Sequence, residues 1–211
     1  ARSCLVESSW QSGIRDCETM EEVHEAARAV SPDLAMQPPT AQSGLRRTVT
    51  RACCRILEGG WSTVESAVVD VRYLAGLRED GLLEPLRDVR RSVAEALVGF
   101  CGNRGGVRGV AKPAAALRRE VGPPAWACGE CRLDSWARAA ALLLSAAEAQ
   151  LLSRDAVDSA AHVLEVDLRR RLCRATAQDL CRDAGQLRDG RDAIASAFAA
   201  AGGGAAQGDS L

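Results

Sequence analysis

An all-α fold is predicted by three features of this 211-residue chain. Ala is abundant at 38 residues, while Ile contributes only three and Thr six. Aromatic residues make up 3% of the sequence. Apolar residues recur at helical period between capping signals and Gly/Pro breaks. Strands favour β-branched and aromatic side chains, which fit a pleated surface. Helices favour Ala, Leu, Arg and Glu, which lose little side-chain entropy on ordering. The expected architecture is an irregular antiparallel helical bundle or a short helical solenoid of about eight helices.

The elements follow in order. Thr19 and Glu22 have the spacing of a capping box, so a helix is predicted to start near Met20. Val23, Ala26, Ala27 and Val30 give it an apolar face. Ser31-Pro32 is predicted to end it, because Pro disfavours the α conformation in the preceding residue. The segment 31–44 then reads as a linker. A second helix is expected over Leu45 to Glu58, ended by Gly59-Gly60. Ser62 and Glu65 suggest a second capping box, opening a helix that ends at Asp80-Gly81. A fourth helix runs from Leu82 to Cys101, with Leu86, Val89, Val93, Leu97 and Phe100 inward. Pro113 suits the first turn of a short helix through Val121, and Gly122-Pro123-Pro124 breaks it. Asp134 is predicted to cap a helix over Ser135 to Leu152, with Trp136, Ala140, Leu143 and Ala147 on its apolar face. Asp155 opens the next, to about Arg174. Two short helices are expected near 177–188 and 191–201, followed by a flexible tail.

This pattern divides the chain into an N-terminal arm and linker (1–44), a helical lobe (45–101), a Gly/Pro-rich hinge (102–127), a second lobe (128–201) and a tail (202–211). The formal net charge is -1, which excludes a strongly basic nucleic-acid binder and an acidic-tail protein. Of the basic residues, 26 are Arg and one, Lys112, is Lys. No apolar run reaches the roughly 18 residues of a membrane span, so none is expected. The chain begins at Ala1 rather than Met, and removal of a targeting segment is one account of that start. An organelle interior, mitochondrial or plastid, is the corresponding expectation.

Nine Cys at irregular spacing argue for reduced thiols rather than a secreted disulfide framework. Cys128-Gly129-Glu130-Cys131 is the sharpest motif. Its two thiols are close enough for a disulfide or for half a zinc site. A structural zinc needs four ligands and the chain has no second such pair. Trp126 precedes the motif, but one residue intervenes and no strand signal surrounds it. A buried turn is therefore the favoured account, and no metal or cofactor is expected. The glycine loop 102–109 lacks phosphate-loop spacing. His24 lies among Glu21, Glu22 and Glu25, and His162 shares a helix face with Asp158 and Glu165. Both are expected to make surface hydrogen bonds rather than to catalyse.

The stretch 135–157 resembles a pentatricopeptide-type helical hairpin, in which a Trp opens one helix and an Asp the next. That resemblance would imply a helical repeat that grips RNA. It covers about a tenth of the chain, the period does not recur, and the balanced charge speaks against a basic groove, so membership is not claimed. The expected function is a non-catalytic interaction or structural subunit whose partners are other proteins. A helical-repeat RNA binder and a thiol-redox or metal protein built on Cys128 and Cys131 are the alternatives. Arg and Trp are enriched at interfaces, which nominates Trp10, Trp61, Trp126 and Trp136 as interface residues. Trp10 lies in an arm with few neighbours of its own.

Overall fold

The computed structural model describes residues 10–36, 38–101 and 133–203. Among these the chain forms nine helices and no strand, as the composition predicts. Helix α1 covers residues 10–16. It is followed by α2 (Met20–Ala35), α3 (Pro39–Glu58), α4 (Val64–Glu79) and α5 (Leu86–Cys101). Then come α6 (Leu133–Glu148), α7 (Arg154–Leu172), α8 (Ala177–Arg182) and α9 (Ala184–Gly203).

The helices gather into two compact units. Unit 1 comprises residues 1–59 and 69–93, and unit 2 comprises residues 60–68 and 94–211. This division differs from the expected lobes 45–101 and 128–201. Both α4 and α5 contribute residues to each unit, so the boundaries fall inside helices rather than at a Gly/Pro-rich connector. The expected hinge at 102–127 lies outside the described residues.

The first capping box forms as predicted. Glu22 N–H donates to Thr19 Oγ1 at 3.2 Å, and Thr19 N–H donates to a Glu22 carboxylate oxygen at 3.2 Å. Helix α2 then runs on through Ser31-Pro32 to Ala35. The expected linker 31–44 is thus mostly helical. Pro32 lies near the end of α2 and removes only one backbone bond there. Pro39 opens α3, where its missing N–H would have no intrahelical partner, and Pro38 precedes it in extended conformation at φ -56, ψ 150. Gly60, at φ +67, supplies the left-handed turn after α3.

Helix α4 is capped one residue later than predicted. Thr63 Oγ1 accepts from Ser66 N–H at 3.1 Å, and Ser66 Oγ accepts from Thr63 N–H at 3.3 Å. Glu65 is left to pair with Arg138 instead. A Schellman motif ends α4: Leu82 N–H bonds Leu77 O at 2.8 Å and Gly81 N–H bonds Arg78 O at 3.0 Å. Gly81 takes φ +67, and Leu82 and Leu77 are both buried. The same motif ends α6, from Leu151 N–H to Ala146 O at 3.0 Å, with Gln150 at φ 54 in the turn. Asp134 lies inside the first turn of α6 rather than capping it. Ser153, not Asp155, caps α7 by accepting from Ala156 N–H. Thr176 and Asp179 form the capping box of α8.

Unit 1 buries α2, α3 and its portions of α4 and α5 through Met20, Val23, Val49, Cys53, Leu74 and Val89. Ile14 of α1 is 1% exposed and the Arg55 guanidinium donates to the Cys17 carbonyl. The chain from residue 14 onward is therefore part of unit 1, not an unpacked arm. In unit 2, α6 packs closely on α9 and also on α7. Ala139, Ala140, Ala146 and Ala147 of α6 and Ala193 and Ala197 of α9 are buried, so the layers between these helices are thin.

Candidate functional site

The tryptophans separate by burial. Trp136 is 0% exposed and Trp61 3% exposed. Trp136 Nε1–H donates to the Leu164 carbonyl of α7 at 2.9 Å. On its other side lies Gly190 of α9, where a Cβ would overlap Cζ3, Cε3 and Cη2 of the indole. Trp61 packs edge-on to Phe100 with ring centroids 6.3 Å apart. Both rings belong to the core of unit 2, which corrects the interface expectation for them. An aromatic ring placed on the apolar face of its helix meets the chain's own helices first. Trp10 is half-buried and its Nε1 is shielded from solvent without an acceptor. Trp126, Cys128 and Cys131 lie outside the described residues.

The six described cysteines, Cys17, Cys53, Cys54, Cys101, Cys173 and Cys181, are free thiols. Burial pushes the Cys101 thiol up to about 12, and the Asp167 carboxylate adds to the effect. Cys53 is raised further still, again chiefly by burial. These are protonated, poorly reactive thiols. Among the described residues, no group of three or more His, Cys, Asp or Glu is arranged to hold a metal ion. No described helix is long and apolar enough to cross a membrane.

Two polar clusters tie the helices, one between two helices and one within a single helix. In unit 1, α2 and α4 share three rungs. Glu21 accepts a hydrogen bond from the Tyr73 hydroxyl, which raises that phenol above its ordinary value. His24 sits against Gly76 and beside the Tyr73 ring, with centroids 5.4 Å apart. Arg28 Nε donates to Asp80 Oδ2 at 2.9 Å, and His24 Nε2 lies 3.9 Å from the same oxygen. The rungs 21–73, 24–76 and 28–80 advance together along both helices, so α2 and α4 run parallel. Gly76 is the sequence signal for this arrangement. It is a mid-helix glycine, and a Cβ there would come within 3.1 Å of His24 Nε2.

In unit 2, Asp167 and Arg171 form an ion pair at 2.5 Å one turn apart on α7, with side chains 11% and 7% exposed. Removing either partner would leave an uncompensated buried charge. Glu165 pairs with Arg169 at 2.6 Å, rather than joining His162 and Asp158. Each of these groups is committed to holding one helix to itself or to another.

One surface stands apart. The outward ridge of α3 carries Arg47, Arg51 and Arg55, all exposed. Positions i, i+4 and i+8 lie in a row, with about 6 Å of rise per step. Four arginines and one glutamate, Glu58, are the only charges on this helix. Two carboxylates close to this helix are already engaged. Glu84 takes Arg46 at 3.0 Å, and Asp88 takes Arg91 at 3.7 Å. The Arg55 guanidinium donates to the Cys17 carbonyl. Arg47 and Arg51 have no partner among the described residues. The inner face of the same helix is fixed by Leu45, Val49, Ala52, Cys53 and Leu57. The row is therefore rigidly presented. Its signal was legible as R-x-x-x-R-x-x-x-R inside a predicted helix, but it escapes a search for consecutive charges.

Compared with known proteins, the chain matches no family model, no curated protein and no solved structure.

Proposed function

We propose that this protein is a non-catalytic helical subunit that binds other proteins, with the outer face of α3 as a contact surface. The observation that supports this most directly is the row Arg47, Arg51 and Arg55, which is held exposed on a packed helix while Glu84 and Asp88 serve other arginines. A row of like charges one turn apart is mildly destabilising within an isolated chain. An oppositely charged partner removes that repulsion and gains charge-assisted hydrogen bonds. Exposed Met36, Val68 and Val69 add apolar surface of the kind a partner covers. The polar clusters at His24 and Asp167 are taken here as structural ties, because their donors and acceptors already satisfy one another.

The test is recovery of the tagged chain from its native cells at physiological ionic strength. A fixed set of proteins in stoichiometric amounts is expected with the wild type, and its loss with Arg47→Glu combined with Arg51→Glu. Recovery of the same set with the double variant would remove α3 from the contact. Recovery of the chain alone in both cases would overturn the subunit reading.

A further inference from the structure

The occupant of the α3 ridge can be specified from its geometry. We infer that the ridge binds an acidic α-helix of a partner protein, one that carries carboxylates at i, i+4 and i+8. The inference rests on the interaction reading above and deepens it.

Arg47, Arg51 and Arg55 lie along an i±4n ridge, the type of row that interdigitates most often when two helices pack. Carboxylates four residues apart on a second helix repeat at the same rise of about 6 Å. Each guanidinium can then meet one carboxylate without either backbone bending. Arg suits this better than Lys, since its planar fork matches a carboxylate with two parallel hydrogen bonds. The only acid on α3 is Glu58, three residues beyond Arg55.

A single-stranded nucleic acid is the competing occupant, and two observations disfavour it. The positive charge is local, on a chain whose formal net charge is -1. Three cations neutralise about three phosphates, which yields only weak, salt-sensitive binding. Of the described tryptophans that could serve as base-stacking platforms, Trp61 and Trp136 are buried and Trp10 is half-buried, so none offers an open ring.

The probes are three fluorescent ligands added to the intact purified chain at low salt, read by anisotropy. One is an alanine-based helical peptide with Glu at i, i+4 and i+8. The second has the same composition with its Glu residues on different faces. The third is a short oligouridylate. The row peptide is expected to bind several-fold more tightly than its isomer and than the oligouridylate. Arg47→Ala and Arg51→Ala should each weaken it about threefold, as exposed ion pairs do. Arg188→Ala, an exposed change on α9, should leave it unaffected. Circular dichroism confirms that the variants stay folded, which their exposure leads one to expect. Equal binding of the two peptides, indifference to Arg47 and Arg51, or tighter binding of the oligouridylate would each overturn the acidic-helix assignment. If the native assembly depends on Arg47 and Arg51 while the row peptide fails, the subunit reading survives and the helical partner does not. If the chain has no native partner, the subunit reading itself fails.

Discussion

In unit 2, three helices converge on one indole, whereas in unit 1 two parallel helices share a ladder of polar rungs. Trp136 touches the Leu164 carbonyl on α7 and the bare backbone of Gly190 on α9. Its fit is a matter of volume, and close-packed volume tolerates little change. The Glu21–Tyr73, His24–Gly76 and Arg28–Asp80 rungs are partly solvated, and Asp80 is 31% exposed. Their contributions are graded and screened. The two units therefore should fail differently. Unit 2 should lose order at a single substitution, and unit 1 should yield by small steps.

The largest expected effect tests the indole. Trp136→Ala should cost about 4 kcal/mol, as large-to-small changes of buried aromatics do. Gly190→Ala should cost about 2 kcal/mol, because overpacking outweighs the gain in helix propensity. A double-mutant cycle is the sharper measurement. In a Trp136→Leu background, Gly190→Ala should become close to neutral. Additive losses in urea unfolding would show that the two residues do not share one fit.

Next in size is the buried ion pair of α7. Arg171→Met leaves Asp167 charged and shielded, with an expected loss of about 3 kcal/mol. Adding Asp167→Leu should recover most of it, because no isolated charge remains. A double variant as unstable as the single one would assign the loss to packing of the Arg171 stem.

Each unit also buries a thiol, and alkali probes both. The folded value of Cys101 is about 12 against an ordinary 9.0, and Cys53 is raised in the same direction. A group whose folded value is raised stabilises the fold fully below its unfolded value. That contribution is lost as pH rises toward the folded value. Stability should thus decline from about pH 9 upward, the ordinary thiol range. Cys101→Ala should flatten the decline for unit 2, and Cys53→Ala for unit 1. An unchanged alkaline limb in both variants would assign the decline to other groups.

The smallest effect belongs to the polar ladder. Gly76→Ala should be nearly neutral, since the gain of about 1 kcal/mol from replacing a helical glycine is offset by displacing His24. With His24→Ala the same change should stabilise by about 1 kcal/mol. Equal effects in both backgrounds would show that Gly76 is not retained for the imidazole.

Much of this fold was legible in the sequence, for identifiable reasons. The Thr19–Glu22 box and the stops at Gly59-Gly60 and Gly81 are local, and local rules found them. Pro32 misled because a proline near a helix end removes a single bond, so its position matters more than its presence. Ser62 and Glu65 have the spacing of a box, but Thr63 caps α4, and Glu65 turns to an arginine 73 residues away. Trp61 and Trp136 are the instructive error. Trp136 already lay on the apolar face of its predicted helix, and that pattern outranks the general enrichment of Trp at interfaces. The Arg28–Asp80 rung joins residues 52 positions apart, a pairing that only the tertiary fold can make. The α3 row required reading arginines every fourth residue instead of side by side.

Because α4 and α5 each belong to both units, the chain's order of synthesis has a particular consequence. Unit 1 is complete in sequence once Val93 has emerged from the ribosome. Residues 60–68 have by then been made, yet the rest of the unit they belong to begins only at Ala94. Trp61, edge-on to Phe100 in the finished protein, lacks that ring until residue 100 has been made. The start of α4 thus precedes the remainder of its own unit by an interval of translation, at a pace of some 5–20 residues per second.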